Sequence, residues 1–359
     1  MEQIRKQFPL LNHSIYANTA ATGLLYDDLL EWRQEHDLDY LIGGSNMKGQ
    51  SNKMHSKTRK VVGTFFNCEP DNVALVPNFT IGLNFLVEGL SKTEKVLLLE
   101  SDYPSLNWPF ESRGFMIDFV SGTDNLEERI YNTLKEKNIT VLALSIVQWL
   151  DGIMMDMSFL KCLKDDFKDL MIISDGTQFL GTRDFNFSES SIDIIGASAY
   201  KWLLSGYGNG FLLIKDEIKH RFSLVAKGYG SGRNSKEFHH KRTFCKHLEP
   251  GHLDSLNFGS LQFSLDFLKR IGTNKIHEQN EQLSKKAKVA FTDLGLLDDV
   301  VVNRKVHSTI FNIKASKQVF DKLLQNDVVC VQRGEGIRLS FHFYNTLEEI
   351  DKIIRILKK

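Results

Sequence analysis

Proline is scarce in this chain, with 6 in 359 residues, and no long Gly/Ser stretch or low-complexity tract divides it. That excludes a string of small modules on flexible tethers. No internal repeat occurs, so a solenoid is excluded as well. Cysteine is sparse too. Cys68, Cys162, Cys245 and Cys330 are widely scattered, with no CxxC and no histidine cluster at ligand spacing. A disulfide framework and a metal centre are therefore not expected, and the thiols read as reduced in a cytoplasmic protein. No apolar run approaches a membrane span. The N-terminal "MEQIRKQFPLLNHSIYANTA" lacks the long apolar core of a signal peptide. Charge of one sign is also missing, since Lys plus Arg and Asp plus Glu number 45 each. This argues against a general binder of nucleic acid or anionic membranes.

What is present is ordinary for a globular chain: 42% apolar and 25% charged residues. The length suits two domains, expected at 1–250 and 251–359. In the first, "NVALVP", "KVLLLE", "TVLALSIVQ", "LMIISD", "IDIIGAS" and "NGFLLIK" read as strands. Helix-like segments such as "TIGLNFLVEGLS", "NLEERIYNTLKEK" and "SFLKCLKDDF" fill the gaps. Near-continuous apolar strands alternating with helices predict an α/β fold with a mostly parallel sheet covered on both faces. After residue 250 one long helical pattern over 259–295 precedes "STIFNIKA", "GIRLSF" and a final helix "LEEIDKIIRILKK". That predicts a smaller α+β domain.

In a parallel sheet the ligand site lies beyond the C-terminal strand ends. Asp175 and Gln178 of "IISDGTQFLG" fall at one such end, and Ser198, Tyr200 and Lys201 of "IIGASAYKW" at another. Asn78–Thr80, Glu100–Tyr103 and Gln148 fall at others. A buried carboxylate and a buried lysine are expensive unless something pairs with them. A lysine of lowered pKa can form a Schiff base with an aldehyde. A buried carboxylate can keep a pyridine nitrogen protonated. A glutamine amide can bond a phenolate, and a serine at a helix N-terminus can bind phosphate. Together these are the requirements of pyridoxal 5′-phosphate.

The pattern "SDGTQFLG…DIIGASAYKW" resembles the class V aminotransferase family, fold-type-I enzymes that include cysteine desulfurases and isopenicillin N epimerase-like proteins. "IYANTAATGLL", "NFTIGLN", "LEPGH" and "GIRLSFHFYNTLEEIDKII" are similar to further family segments in the same order. The resemblance implies a fold-type-I transferase with a large cofactor domain, a small C-terminal domain, and a homodimer with shared sites. It assigns Lys201 the Schiff base and proton shuttle, Asp175 the pyridine nitrogen and Gln178 the ring hydroxyl. Thr80, the Phe79 amide and Ser198 would hold the phosphate. Tyr103 would stack on the ring, where desulfurases place a histidine, and Arg338 would clamp the substrate carboxylate. Asn18, Ala20 and Gln148 fall near substrate or ring. Tyr200 stands where desulfurases carry a histidine. His252 replaces the threonine of a turn that reaches the phosphate from the neighbouring subunit.

Other readings compete at several of these positions. Asp175 alone would read as a cap, Lys201 as a solvated lysine and Arg338 as a solvent-facing arginine. The glycine-rich "GYGSGR" at 228–233 lacks the GxGxxG spacing of a dinucleotide loop. His239 and His240 read as a solvated loop. Ser198 to Lys201 also spells S-x-x-K, the tetrad of acyl-serine hydrolases, but no KTG follows. A cofactor fold kept only as a binding module would not need the lysine, aspartate and arginine together. A desulfurase needs a mobile nucleophilic cysteine, whereas Cys330 sits in an apolar β-branched run, where thiols are inert. The reading is therefore an aminotransferase-like enzyme acting on a small amino acid. Desulfuration, C–S lysis or epimerisation are the alternatives.

Overall fold

A computed structural model describes residues 1–122, 124–231 and 243–358; His239, His240 and Arg233 lie outside the described residues. Twelve strands occur among the described residues. They are β1 (Ile15–Tyr16), β2 (Val73–Val76), β3 (Lys95–Leu99), β4 (Met116–Val120), β5 (Val141–Ser145) and β6 (Met171–Asp175). Then come β7 (Ile194–Ser198), β8 (Gly210–Ile214), β9 (Ile310–Ile313), β10 (Val328–Val329), β11 (Val331–Arg333) and β12 (Gly336–Ser340).

Seven strands form the main sheet in the order β2-β8-β7-β6-β5-β3-β4. Only β8 is antiparallel to its neighbours. Alternate residues of each strand enter opposite cores, as the two-residue strand period requires. Leu97, Leu142, Ile172 and Leu213 enter one core, while Val96, Val141, Ile173 and Leu212 enter the other. Both faces are therefore apolar, which is why these strands read as unbroken hydrophobic runs. Strand β4 escaped the sequence reading because it is the sheet edge, with Met116 and Phe119 exposed and Asp118 in its middle.

The C-terminal region carries the antiparallel sheet β11-β12-β9. Its helix Leu347–Leu357 starts with a reciprocal capping box between Thr346 and Glu349. The single helix expected over 259–295 is two, Ser255–Ile271 and Thr273–Asp293, because Gly272 adopts φ +96° between them. The N-terminal segment returns to this region. β1 pairs in parallel with β10, and Ile15 and Ala17 share a core with Phe311, Val328 and Ile337.

Candidate active site

The strand order creates the site. From β3 the chain moves to β4 on one side and then to β5 on the other. The loops leaving β3 and β5 thus diverge and open a crevice at the C-terminal strand ends, as the switch-point rule requires. A cavity of about 270 Å³ lies there. Nine residues singled out from the sequence line it: Asn78, Phe79, Thr80, Tyr103, Asp175, Gln178, Ser198, Tyr200 and Lys201.

Lys201 follows β7 by three residues and is buried. Its Nζ lies 5.7 Å from the ring centre of Tyr103 and 5.5 Å from that of Tyr200. Burial pulls its pKa down to about 8. Asp175 opposes that shift, and Arg338 adds to it. The turn after Lys201 passes through Leu204 at φ +57°, a strained conformation for a leucine. Ser205 holds that turn, donating to the Ala199 carbonyl at 2.9 Å. On the other side, Gly23 donates to the Tyr200 carbonyl at 2.9 Å. A Cβ on Gly23 would come within 2.0 Å of the Lys201 carbonyl oxygen, so only glycine permits this close backbone contact.

Asp175 ends β6, also buried, and its Oδ1 accepts from the Thr177 amide at 2.8 Å. Burial raises its pKa to about 6, with the Thr177 bonds and Lys201 resisting. Gln178 donates through Nε2 to the Ala20 carbonyl at 3.0 Å and accepts through Oε1 from Trp202 at 2.7 Å. One of its two N–H donors remains for a ligand.

Helix Phe79–Glu88 points its N-terminus at the cavity, and its N-cap Asn78 accepts from the Ile81 amide at 2.9 Å. The Phe79 amide is already engaged, donating to Ser198 Oγ at 3.0 Å. That leaves the Ser198 hydroxyl hydrogen and the Thr80 side chain for an anion at this terminus. Among the described residues no hydrogen bond joins Ser198 to Lys201, as an S-x-x-K hydrolase would need.

Arg338 is buried, not solvent-facing. Its Nη1 donates to the Trp149 carbonyl at 2.7 Å, and its Nε is buried without a partner. No carboxylate of the described residues pairs with it. Burial lowers its pKa to about 10. It is close enough to Lys201, Tyr103 and Tyr200 to shift or feel their charge.

Arg338 is not among the residues that line this cavity, and the remaining candidates also stand apart from its wall. Ala20 is buried behind Gln178, its amide donating to Ser340 Oγ at 2.9 Å. Asn18 bridges to Ser340, with a buried unpartnered Oδ1. Gln148 is turned toward Asp102, donating at 3.3 Å. His252 is exposed on a separate groove, 4.9 Å from the Tyr229 ring.

Asp102 lies within the Glu100–Tyr103 strand end marked in the sequence, which assigns it no role of its own. Its carboxylate, buried at the end of β3, accepts from the Tyr103 amide at 2.7 Å, the Ser145 amide at 2.7 Å and Ser145 Oγ at 2.5 Å. It thereby ties the two diverging loops together. Trp149, Tyr207 and Gly208 also line the cavity. Trp149 meets Tyr103 edge to face at 5.7 Å, and Tyr207 stacks on Tyr200 at 4.3 Å. The available signal was position: Asp102 and Trp149 follow strand ends that the sequence had already marked.

The residues present suit pyridoxal phosphate. A buried amine free of any ion pair among the described residues, a buried carboxylate, an aromatic wall and a helix N-terminus with a serine hydroxyl share one cavity.

Comparison with known proteins agrees. The family model "Aminotransferase class-V" matches residues 15–353. A probable cysteine desulfurase of Pyrococcus abyssi is 23% identical, covering 100% of this chain and 97% of its own. The uncharacterized aminotransferase YcbU of Bacillus subtilis is 22% identical, covering 97% and 95%. Among solved structures, the cystine C–S lyase C-DES with its product cysteine persulfide superposes with a TM-score of 0.87. It is 18% identical and covers 98% of this chain and 99% of its own.

Proposed function

The chain belongs to the class-V aminotransferase family and is a pyridoxal-phosphate enzyme; on that premise we propose that it is an aminotransferase acting on a small amino acid. The observation that carries this reading is Arg338. A buried guanidinium with no carboxylate partner among the described residues, close enough to Lys201 to shift its pKa, calls for an anionic ligand beside the amine.

Pyridoxal phosphate supplies an aldehyde that condenses with amines and a pyridine ring that accepts an electron pair from Cα. In this chain Lys201 provides the amine that holds it, and Asp175 pairs with its pyridine nitrogen. The remaining N–H of Gln178 bonds the ring hydroxyl. Ser198 and Thr80 hold the phosphate at the N-terminus of helix Phe79–Glu88. Tyr103, braced on Trp149 and anchored through Asp102, forms the aromatic wall. Arg338 takes the substrate carboxylate, with its Nη1 already fixed by the Trp149 carbonyl. Lys201 Nζ then takes the proton from substrate Cα, and its lowered pKa suits that work near neutral pH.

Desulfuration lacks support from the thiols. Cys330 is buried between β10 and β11, and burial lifts its pKa to about 12. Residues 331–337, between it and Arg338, are spent on β11, a tight turn and the start of β12. No mobile loop is left to carry a nucleophile to the cavity. The test is product analysis of holoenzyme with a panel of amino acids. A keto acid that forms only with a second keto acid as amino acceptor is expected. Pyruvate with ammonia from a β-substituted substrate would replace this reading with C–S or other β-elimination.

A further inference from the structure

Helix Thr273–Asp293 buries an apolar stripe of Ile276, Leu283, Ala287 and Phe291, as helix packing requires. It also turns a polar stripe inward. His277, Asn280, Ser284 and Lys288 recur at spacings of three and four and face a second cavity of about 300 Å³. Thr182, Arg183 and the segment 305–309 close its other sides. Val147 lines this cavity and the Lys201 cavity alike, so the two lie back to back.

Three buried polar atoms of this wall have no partner among the described residues: Arg183 Nε, His277 Nδ1 and Asn280 Oδ1. Asn280 is only 5% exposed, and its Nδ2 donates to the Thr182 carbonyl at 2.9 Å. That bond fixes the amide and leaves Oδ1 as an unused acceptor. Arg183 forms no ion pair among the described residues. Glu281, the one acid of the wall, pairs with Lys285 at 2.9 Å. Arg183, Lys285, Lys288 and Lys305 thus outnumber it. The wall therefore combines excess positive charge with a buried acceptor.

We propose that this second cavity binds a small carboxylate that carries a hydroxyl or amino group beside its charge. Arg183 takes the carboxylate through paired N–H donors. Asn280 Oδ1 accepts from the hydroxyl or amino group, and His277 Nδ1 supplies a further polar contact. The site is independent of the reaction at Lys201.

The test uses holoenzyme in an anion-poor buffer, with glycerate, lactate, propionate and inorganic phosphate as titrants in calorimetry. Hydroxy acids also fit Arg338, so the Arg338→Gln variant supplies the background. That variant is expected to retain one glycerate site. Adding Arg183→Gln weakens it by about ten- to a hundred-fold. Lys305→Glu, an exposed change that leaves the core untouched, weakens it several-fold. Propionate, lacking the hydroxyl for Asn280, binds about tenfold more weakly than lactate. No glycerate binding to Arg338→Gln holoenzyme, or binding indifferent to both Arg183→Gln and Lys305→Glu, overturns the proposal and leaves a hydrated cavity. Phosphate binding tighter than glycerate with the same dependence on Arg183 overturns the carboxylate assignment.

Discussion

Trp202 donates its indole N–H to Gln178 Oε1 at 2.7 Å, from the position next to Lys201. The Trp202 carbonyl in turn contacts His342 Nε2 at 3.1 Å. A fully buried tryptophan so orients the glutamine amide, leaving its nitrogen toward Ala20 and the cavity. Trp202→Phe keeps most of the apolar bulk and removes the donor. It is expected to cost about 1–3 kcal/mol of stability by orphaning a buried oxygen. Cofactor affinity should fall with it, because the amide can then flip. Urea unfolding and a cofactor titration of the same variant check both effects; unchanged affinity would show that Trp202 does not hold the amide in place.

Lys201 carries two neighbours of opposite effect, Asp175 and Arg338. Cofactor capture by the apoenzyme needs the neutral amine, so its rate should rise with pH through a midpoint near 8. Arg338 disfavours a second positive charge, and Arg338→Met should move that midpoint upward. Asp175→Asn removes a favourable partner and should move it downward. Stopped-flow absorbance of apoenzyme mixed with pyridoxal phosphate at several pH values reads these shifts. An unmoved midpoint in both variants would mean that the titrating group is not Lys201.

Arg338→Ala should raise KM for amino-acid substrates, since a charge-assisted hydrogen bond contributes about 1.5–3 kcal/mol. Cys330→Ala should leave turnover nearly intact and cost about 1 kcal/mol in packing. Steady-state kinetics beside a persulfide assay separates them. Loss of sulfide release from cysteine in Cys330→Ala, with cofactor still bound, would make the protein a desulfurase.

Arg59 and Glu249 form a buried bidentate pair at 2.5 and 3.0 Å, and Glu249 also accepts from the Leu75 amide at 2.7 Å. Burial works against ionisation of Glu249, but Arg59 prevails and its pKa lies below 4.5. A depressed carboxylate contributes stability above its unfolded pKa and loses it as pH falls through the folded value. Glu249→Gln should therefore cost about 3–5 kcal/mol at neutral pH. The difference from wild type should shrink only on acidification below the ordinary glutamate range, as pH falls through the lowered pKa of Glu249. Thermal unfolding across that range measures it.

We propose a homodimer formed over the face where helix Asp27–Gly43 ends. Leu41 and Ile42 are 78% and 85% exposed there, and Tyr40, Tyr229 and His252 line the adjacent groove. An apolar patch on a charged surface marks an interaction site. Leu41→Asp with Ile42→Asp should yield monomers in sedimentation. A wild-type chain that is fully active as a monomer would refute the dimer.

The main sheet was legible because strands buried on both faces leave unbroken apolar runs, and β5, β6 and β7 show them plainly. The edge strand β4 leaves no such run. The cavity wall was legible for a different reason. Asp175, Ser198 and Lys201 lie at strand ends, where chain order and spatial position coincide. Asp102 was not, because its value comes from Ser145 across the sheet, a partner that only strand order reveals. Arg338 showed only its alternation with Ile337 and Leu339, and a solvent-facing arginine would show the same. His252 lies exposed on a separate groove, away from the strand ends.

The pairing of β1 with β10, and of Ala20 with Ser340, joins residues more than three hundred positions apart. Asn345 adds a bond to the Tyr16 carbonyl at 3.0 Å. The seven-stranded sheet uses residues 73–214 and can assemble while the chain is still leaving the ribosome. The Ala20 contact behind Gln178 cannot be braced until Ser340 has emerged. A chain that stops short of Ser340 should therefore form the sheet but hold the coenzyme poorly.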